Sequence, residues 1–137
     1  MTKNVFRVLS ICSLLLGLMA TALAQSDALR VTIPFDFRVG ESQLSSGAYT
    51  IRVVGNGQSL LVINNETKQA VMSMTNASDV RDNPKRTLLV FSRYGDVLFL
   101  SEVQWEGNRT SRQLVTSKAE LEIAKTIRGV RVVAGVR

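Results

Sequence analysis

Residues 87–105 read TLLVFSRYGDVLFLSEVQW, and this stretch decides the fold class. Two apolar runs, 88–91 and 97–100, flank Gly95 and Asp96, a residue pair that suits a tight hairpin turn. The runs are continuously apolar instead of alternating, which is typical of strands that are buried on both faces. The stretch therefore predicts a central antiparallel hairpin, and something must cover its second face.

Upstream of the hairpin, the sequence predicts four more strands. Residues 29–39 alternate strictly between apolar and polar side chains, which indicates a strand with one buried face. Pro34 lies within this strand and has no N–H to donate, so we expect the strand at a sheet edge or at a bulge. Strands at 48–54, 59–63 and 69–75 follow, separated by turns rich in Gly and Asn.

Downstream of the hairpin, the sequence predicts one helix and a last short strand. Ser117 and Glu120 have the spacing of a capping box, and Gly129 is placed to end the helix. We expect this helix to cover the second face of the hairpin, and residues 130–136 to form the last strand. The fold class predicted is all-β, mainly antiparallel, a sandwich or small barrel of six or seven strands, with one C-terminal α-helix.

The first 24 residues have the pattern of a secretory signal peptide. A start with two basic residues precedes an apolar run over 8–22, and the small side chains of Ala22 and Ala24 predict cleavage before Gln25. The apolar run has about 15 residues, fewer than the roughly 20 that a spanning helix needs. We therefore expect a secreted or periplasmic protein with no transmembrane segment after cleavage.

The mature chain, residues 25–137, is predicted to be one β-rich domain that is folded from about residue 28 onward. Removal of residues 1–24 takes away two of the 17 basic residues and none of the 11 acidic ones, so the net charge falls from +6 to +4. This mild charge permits contact with an anionic surface without requiring it. Because the only cysteine is Cys12, no disulfide is expected.

The composition makes the commonest catalytic and metal chemistries improbable. The chain has no histidine, so nucleophilic triads and zinc or copper sites lack their usual residue. Ser117 beside Lys118 is better explained as a helix cap than as a catalytic dyad. Asp79, Asp82 and Asn83 fit no calcium loop and are interpreted as a solvated turn. We predict no catalytic residues, no metal site and no cofactor.

Two alternatives to a purely binding role stay open. A polysaccharide hydrolase would need two converging carboxylates, and the sequence brings no pair together. We interpret the candidate carboxylates as residues of solvated strand faces and turns; they are Asp36, Asp96, Glu102 and Glu106. An envelope-surface assembly protein would use the basic carboxyl end, where Arg128, Arg131 and Arg137 cluster. Nucleic-acid binding is disfavoured, because most aromatic residues lie on apolar strand faces.

The hairpin turn carries the candidate binding residues Arg93, Tyr94 and Asp96, to which we add Trp105. A cation, an anion and aromatic side chains at a loop can bind a ligand. The same residues also suit turn chemistry with a local ion pair. The leading hypothesis is a non-enzymatic secreted β domain that binds or scaffolds a component of the cell envelope or of the exterior.

Four blocks of the sequence together resemble a known group of proteins. They are VTIPFDFRVG at 31–40, LSSGAYTI at 44–51, LVFSRYGDVLFLSEV at 89–103 and SRQLVTSKAE at 111–120. They are similar to a family of small uncharacterised secreted proteins of acidobacteria, whose members typically carry proline at one of the two positions before Gly47. The resemblance implies a bacterial source and a single secreted β domain, and it implies no catalytic or binding residue.

Overall fold

The computed structural model describes residues 28–136 and contains ten strands and one helix in that range. The predicted signal peptide, residues 1–24, lies outside the described residues. The elements are β1 (Leu29–Ile33), β2 (Phe37–Val39), β3 (Ser42–Leu44), β4 (Gly47–Val54), β5 (Ser59–Asn64), β6 (Ala70–Asp79), β7 (Leu88–Tyr94), β8 (Val97–Gln104), β9 (Thr110–Leu114), α1 (Lys118–Ala124) and β10 (Val130–Gly135). This confirms the predicted all-β class with one C-terminal helix. Within the described residues, no helix has the length and apolar character needed to cross a membrane.

The strands form one open, mixed sheet in the order β1-β4-β5-β6-β9-β8-β2-β3, and β7 joins β8 to β10. All pairs are antiparallel except β2 with β8. The ten-residue strand β6 pairs with β5 along its first part and with β9 along its second part. It thereby connects a first half of the sheet (β1, β4, β5) with a second half (β2, β3, β7, β8, β9, β10).

The core lies between the two halves of the sheet. Phe37 of the second half makes edge-to-face contacts with Tyr49 of the first half, at 5.1 Å between ring centroids, and with Phe91, at 5.9 Å. The two halves therefore face each other as in a sandwich. The buried cluster draws on both halves and consists of Ile33, Phe37, Val39, Leu44, Tyr49, Ile51, Leu60, Val62, Leu89, Phe91, Leu100 and Val103.

The predicted hairpin is present as β7 and β8 and lies inside the second half of the sheet, flanked by β10, β9 and β2. It is buried on both faces: Leu89 and Phe91 belong to the core cluster, and Val90 and Phe99 are buried without being part of it. The central position read from its continuous apolar runs is therefore confirmed.

The expectation that the helix covers this hairpin is wrong. Helix α1 has seven residues and buries none of them, and Leu121 on it is 53% exposed. Phe99 is instead contacted by side chains of its own sheet, since the guanidinium of Arg38 lies 5.9 Å from its ring centroid and the Tyr94 ring lies 6.0 Å from it. A helix this short has no apolar stripe wide enough to cover a sheet face.

The predicted strand 29–39 is broken in two. The break falls at Pro34 to Asp36, and the Asp36 carboxylate accepts a hydrogen bond from the Ser46 amide at 2.9 Å across this corner. Alternation continues through the corner, because Ile33 and Phe37 are both buried. However, β1 pairs with β4 in the first half, whereas β2 pairs with β3 and β8 in the second. The chain thus crosses the sandwich where proline interrupts the ladder.

Candidate functional site

The four residues predicted as a binding site do not lie together. Arg93, Tyr94 and Asp96 are at the β7–β8 turn, where Arg93 and Asp96 are exposed. Trp105 follows the far end of β8, and eight residues of strand separate it from the turn by roughly 25 Å. The sequence pattern placed all four residues on one hairpin, but the turn and the far end of β8 are opposite ends of that hairpin.

Tyr94 has a structural role that ties the turn to the helix. Its hydroxyl donates a hydrogen bond to the Glu120 carboxylate at 3.0 Å. The ring lies so close to Gly129 that a Cβ on this glycine would be 2.7 Å from Tyr94 Cε1. Ser117 caps the same helix by accepting a hydrogen bond from the Glu120 amide at 3.2 Å. These contacts occupy both Tyr94 and Ser117 and support the structural interpretation of each.

Partial burial of the Glu120 carboxyl makes stability depend on pH. Burial raises the pKa of the Glu120 carboxyl above its ordinary value of 4.5, although the hydrogen bond from Tyr94 opposes the shift. Ionised Glu120 is less favourable in the folded state than in the unfolded state. The stability that protonated Glu120 contributes is therefore complete below the unfolded-state pKa, and it is lost as the pH rises through the raised folded-state pKa. We expect Glu120→Gln to remove a pH dependence of less than about 1 kcal/mol, since the carboxyl is about half exposed.

Urea unfolding between pH 4 and pH 7 tests this expectation. The wild-type free energy of unfolding should fall more steeply with pH than that of the Glu120→Gln variant. Glu122→Gln is the matched control, because Glu122 is exposed and pairs only with Lys125, at 3.0 Å. Parallel profiles for the wild type and Glu120→Gln would contradict the assignment.

Glu102 lies in a buried polar cluster, so its interpretation as part of a solvated strand face is wrong. Glu102 is only 9% exposed, and its Oε1 accepts hydrogen bonds from Ser111 Oγ at 2.5 Å and from Gln104 Nε2 at 3.1 Å. The Arg131 guanidinium lies 3.8 Å from Oε2. Ser111 is fully buried. We call these four residues the Glu102 cluster; its hydrogen bonds satisfy a carboxylate that the sheet removes from water.

The remaining candidate carboxylates are spread over the described domain. Asp36 is at the corner between β1 and β2, Asp96 is at the hairpin turn, and Glu106 follows the far end of β8. Asp96 and Glu106 are therefore more than about 25 Å apart along the strand, whereas a glycosidase pair needs about 5 to 10 Å. Residues 28–136 also contain no group of three or more acidic residues that could hold a metal ion.

A groove of about 460 Å³ lies where the first strand and the last strand of the described chain approach each other. We call it the seam. Within residues 28–136, strand β1 pairs with β4 alone and β10 pairs with β7 alone, so each has one edge with no partner strand in that part of the chain. Val31 and Val136 both line the seam and pack against the core cluster. The residues that line it are Arg30, Val31, Thr32, Ala48, Asn65, Gly135 and Val136.

The seam is positively charged. Arg30 is the one charged residue among those seven, and none of them is acidic. The guanidinium of Arg86 lies against Gly135, because a Cβ on this glycine would be 2.7 Å from Arg86 Cζ. Arg131 does not line the seam and lies 3.8 Å from Glu102, so the cations at the seam are Arg30, which lines it, and Arg86, which lies against Gly135. A ligand bound in the seam therefore lies near an excess of positive charge.

A second exposed surface lies on the outer face of the first half of the sheet. Met72 and Met74 on β6 are 63% and 68% exposed, and Met72 pairs with the partly exposed Leu61 of β5. Exposed methionines are typical of adaptable contact surfaces. Arg52 of β4 pairs with Leu61 and is exposed, so this face carries a cation beside its apolar side chains.

Comparison of the chain with models of protein families, with curated proteins and with solved structures finds no match. The functional argument rests on the geometry of residues 28–136. In that part of the chain, the seam combines a concave surface, two open strand edges and excess positive charge. One sequence feature pointed toward the seam: Pro34 indicated that the first strand lies at a sheet edge or at a bulge. The approach of β10 to β1 was not predictable, because it depends on the order of the strands in the sheet.

Proposed function

We propose that the protein is a non-enzymatic β domain that binds or scaffolds another macromolecule in the periplasm or outside the cell. The seam carries this proposal, because two open strand edges beside a groove offer backbone and side-chain contacts to a partner. The signal pattern over residues 1–24 supports the compartment. The lack of histidine in the chain supports a role without nucleophilic catalysis.

The polysaccharide-hydrolase alternative has less support. Its candidate Glu102 is held by Ser111 and Gln104 in a buried cluster, and Asp96 and Glu106 lie at opposite ends of β8. We expect the purified protein to show no turnover above the buffer blank on a panel of glycans and esters. Hydrolysis at ordinary enzyme rates, of the order of 1 s⁻¹ or more, would contradict the proposed function.

The envelope-surface alternative depends on the basic residues at the carboxyl end of the chain. Arg128 and Arg131 are exposed at the start of β10, and Arg137 lies outside the described residues. Deletion of residues 128–137 is no test of their role, because it removes β10, whose Val132 and Ala134 pack against the core cluster. Arg128→Glu changes the charge and keeps the strand, and unchanged membrane partitioning of this variant would count against the alternative.

The proposed function predicts that a partner is captured through the seam. The test is crosslinking in fractionated native cells, followed by pull-down of the full chain. We expect Thr32→Trp to lower the yield of the captured partner by about tenfold or more, because Thr32 is exposed, lines the seam and would fill it with a bulky ring.

Gln43→Trp is the matched control, since Gln43 is exposed on β3 and does not line the seam. It should leave both the fractionation and the capture unchanged. Recovery of the protein in the cytoplasmic fraction would contradict the proposed compartment. Equal capture by Thr32→Trp and the wild type would contradict the seam as the binding surface.

A further inference from the structure

We propose that the seam binds an extended segment of a partner protein in which apolar side chains alternate with acidic side chains. This inference rests on the proposed binding role and specifies the chemistry of the partner. The segment would pair with an open strand edge of the seam and extend the sheet. Three features support it: the open edges, the apolar lining that faces the core, and the cations on the outer side.

The open edges select an extended backbone. In an antiparallel pair, alternate residues of an edge strand direct their N–H and C=O groups away from the neighbouring strand. This leaves such groups on the open sides of Leu29–Ile33 and Val130–Gly135, since each strand has a single neighbour among the strands of residues 28–136. An added strand satisfies these groups with main-chain hydrogen bonds, whatever its side chains are.

The side of the seam that faces the core selects apolar residues. The register places Val31 opposite Tyr49, which is fully buried, and Val132 opposite Phe91, which is also fully buried. Both valines, together with Val136, are partly exposed while packing against the core cluster. Every second residue of an added strand would point toward these valines, so an apolar side chain there completes the burial of the core edge.

The outer side of the seam selects acidic residues. Arg30 is adjacent in β1 to the inward Val31, and Arg86 lies against Gly135, which precedes the inward Val136. Successive residues of a strand point to opposite faces, so Arg30, and Arg86 where it meets Gly135, lie on the face away from the core. The residues of an added strand that alternate with the apolar ones would lie beside these guanidinium groups, where carboxylates pair favourably across strands.

The same charges disfavour a second copy of this chain as the occupant. Arg30 is the only charged residue of β1 and Arg131 the only charged residue of β10. Pairing of β1 with β1 of another copy would bring two Arg30 side chains close together with no anion on either strand. Like charges across a strand pair are destabilising, so the charge pattern favours a partner with acidic residues.

The probe for this proposal is a ten-residue peptide of alternating valine and glutamate with blocked ends. We expect amide chemical-shift changes of the full chain to concentrate in residues 29–33 and 130–135, and the affinity to fall with rising salt. The same peptide with lysine in place of glutamate should bind at least about tenfold more weakly. A peptide of five valines followed by five glutamates should also bind more weakly, because it lacks the alternation.

Charge reversal at the seam identifies the site of binding. Arg30→Glu should weaken binding of the valine–glutamate peptide about tenfold or more and improve binding of the valine–lysine peptide. Arg109→Glu is the matched control, since Arg109 is exposed on the connection between β8 and β9 and makes the same change in net charge. This variant should change the affinity less than about twofold.

Several outcomes would overturn the proposal. They are equal binding of the lysine peptide, equal weakening by Arg109→Glu, and shift changes outside β1 and β10. Formation of a dimer that Thr32→Trp abolishes would identify a second copy as the occupant instead. Absence of peptide binding, with partner capture still blocked by Thr32→Trp, would refute the alternating acidic pattern and leave the binding role of the protein standing.

Discussion

Phe91→Ala is expected to lower the free energy of unfolding by about 3–5 kcal/mol, a large share of the roughly 5–15 kcal/mol that stabilises an ordinary domain. Phe91 is fully buried in β7 and makes edge-to-face contacts with Phe35 at 5.0 Å and Phe37 at 5.9 Å. Phe35 lies in the corner at which the chain crosses between the halves of the sheet, and Phe37 directly follows it. Removing the ring therefore leaves a cavity and also loosens the crossing.

Urea unfolding followed by tryptophan fluorescence and circular dichroism measures this loss. Val133→Ala is the control, because Val133 is 51% exposed on the neighbouring strand β10 and its truncation should cost less than about 0.5 kcal/mol. Phe91→Leu should fall between the two, since it keeps part of the buried volume. A loss below about 1 kcal/mol for Phe91→Ala would show that the two halves are not held together at this ring.

Glu102→Ala is expected to cost about 2–3 kcal/mol, because it removes the acceptor of two hydrogen bonds inside the sheet. In that variant Ser111 turns its single hydroxyl hydrogen to the Ser78 carbonyl at 3.2 Å, whereas the Gln104 amide loses its partner. Glu102→Gln keeps an acceptor oxygen in the same place and should cost less than about 1 kcal/mol. The comparison of the two variants by thermal and urea unfolding tests whether Glu102 is structural.

The Glu102→Gln variant also separates the functional hypotheses. If Glu102 only supports the sheet, the variant should fold like the wild type and capture the same partner. If it were a catalytic carboxylate, the neutral amide would abolish turnover in a protein that remains folded. Loss of folding in Glu102→Gln equal to that in Glu102→Ala would show that the charge of Glu102, rather than its hydrogen-bond geometry, stabilises the cluster.

The sequence predicted those elements whose signal is local. The hairpin β7–β8 and the Ser117 cap of α1 were recovered because each is encoded in consecutive residues, whereas the expected helix end at Gly129 is wrong, since the helix ends at Ala124. Strands β3 and β9 were missed, because Ser42–Leu44 is very short and Thr110–Leu114 is mostly polar. β9 forms a strand through its pairing with β6 and β8, and no pattern in its five residues signals those neighbours.

The candidate site was predicted less well for the same reason. The seam exists because β1 and β10, about 100 residues apart in the sequence, approach each other, and sequence periodicity carries no information on such distant neighbours. Glu102 likewise alternates with apolar residues as an exposed strand residue would, and only the placement of Ser111 and Gln104 on the same face shows that it is buried. In contrast, the large distance between Asp96 and Glu106 follows from the length of β8 alone, because the two residues lie at its opposite ends.

The parallel contact of β2 with β8 has a kinetic consequence. Arg38 is paired with Phe99, so the ladder joins segments that are 61 residues apart along the chain. Such a distant pairing carries a large loop-closure entropy and forms late in folding. The amino-terminal strands therefore cannot complete their sheet until most of the polypeptide is available. We expect this protein to fold after synthesis rather than during it.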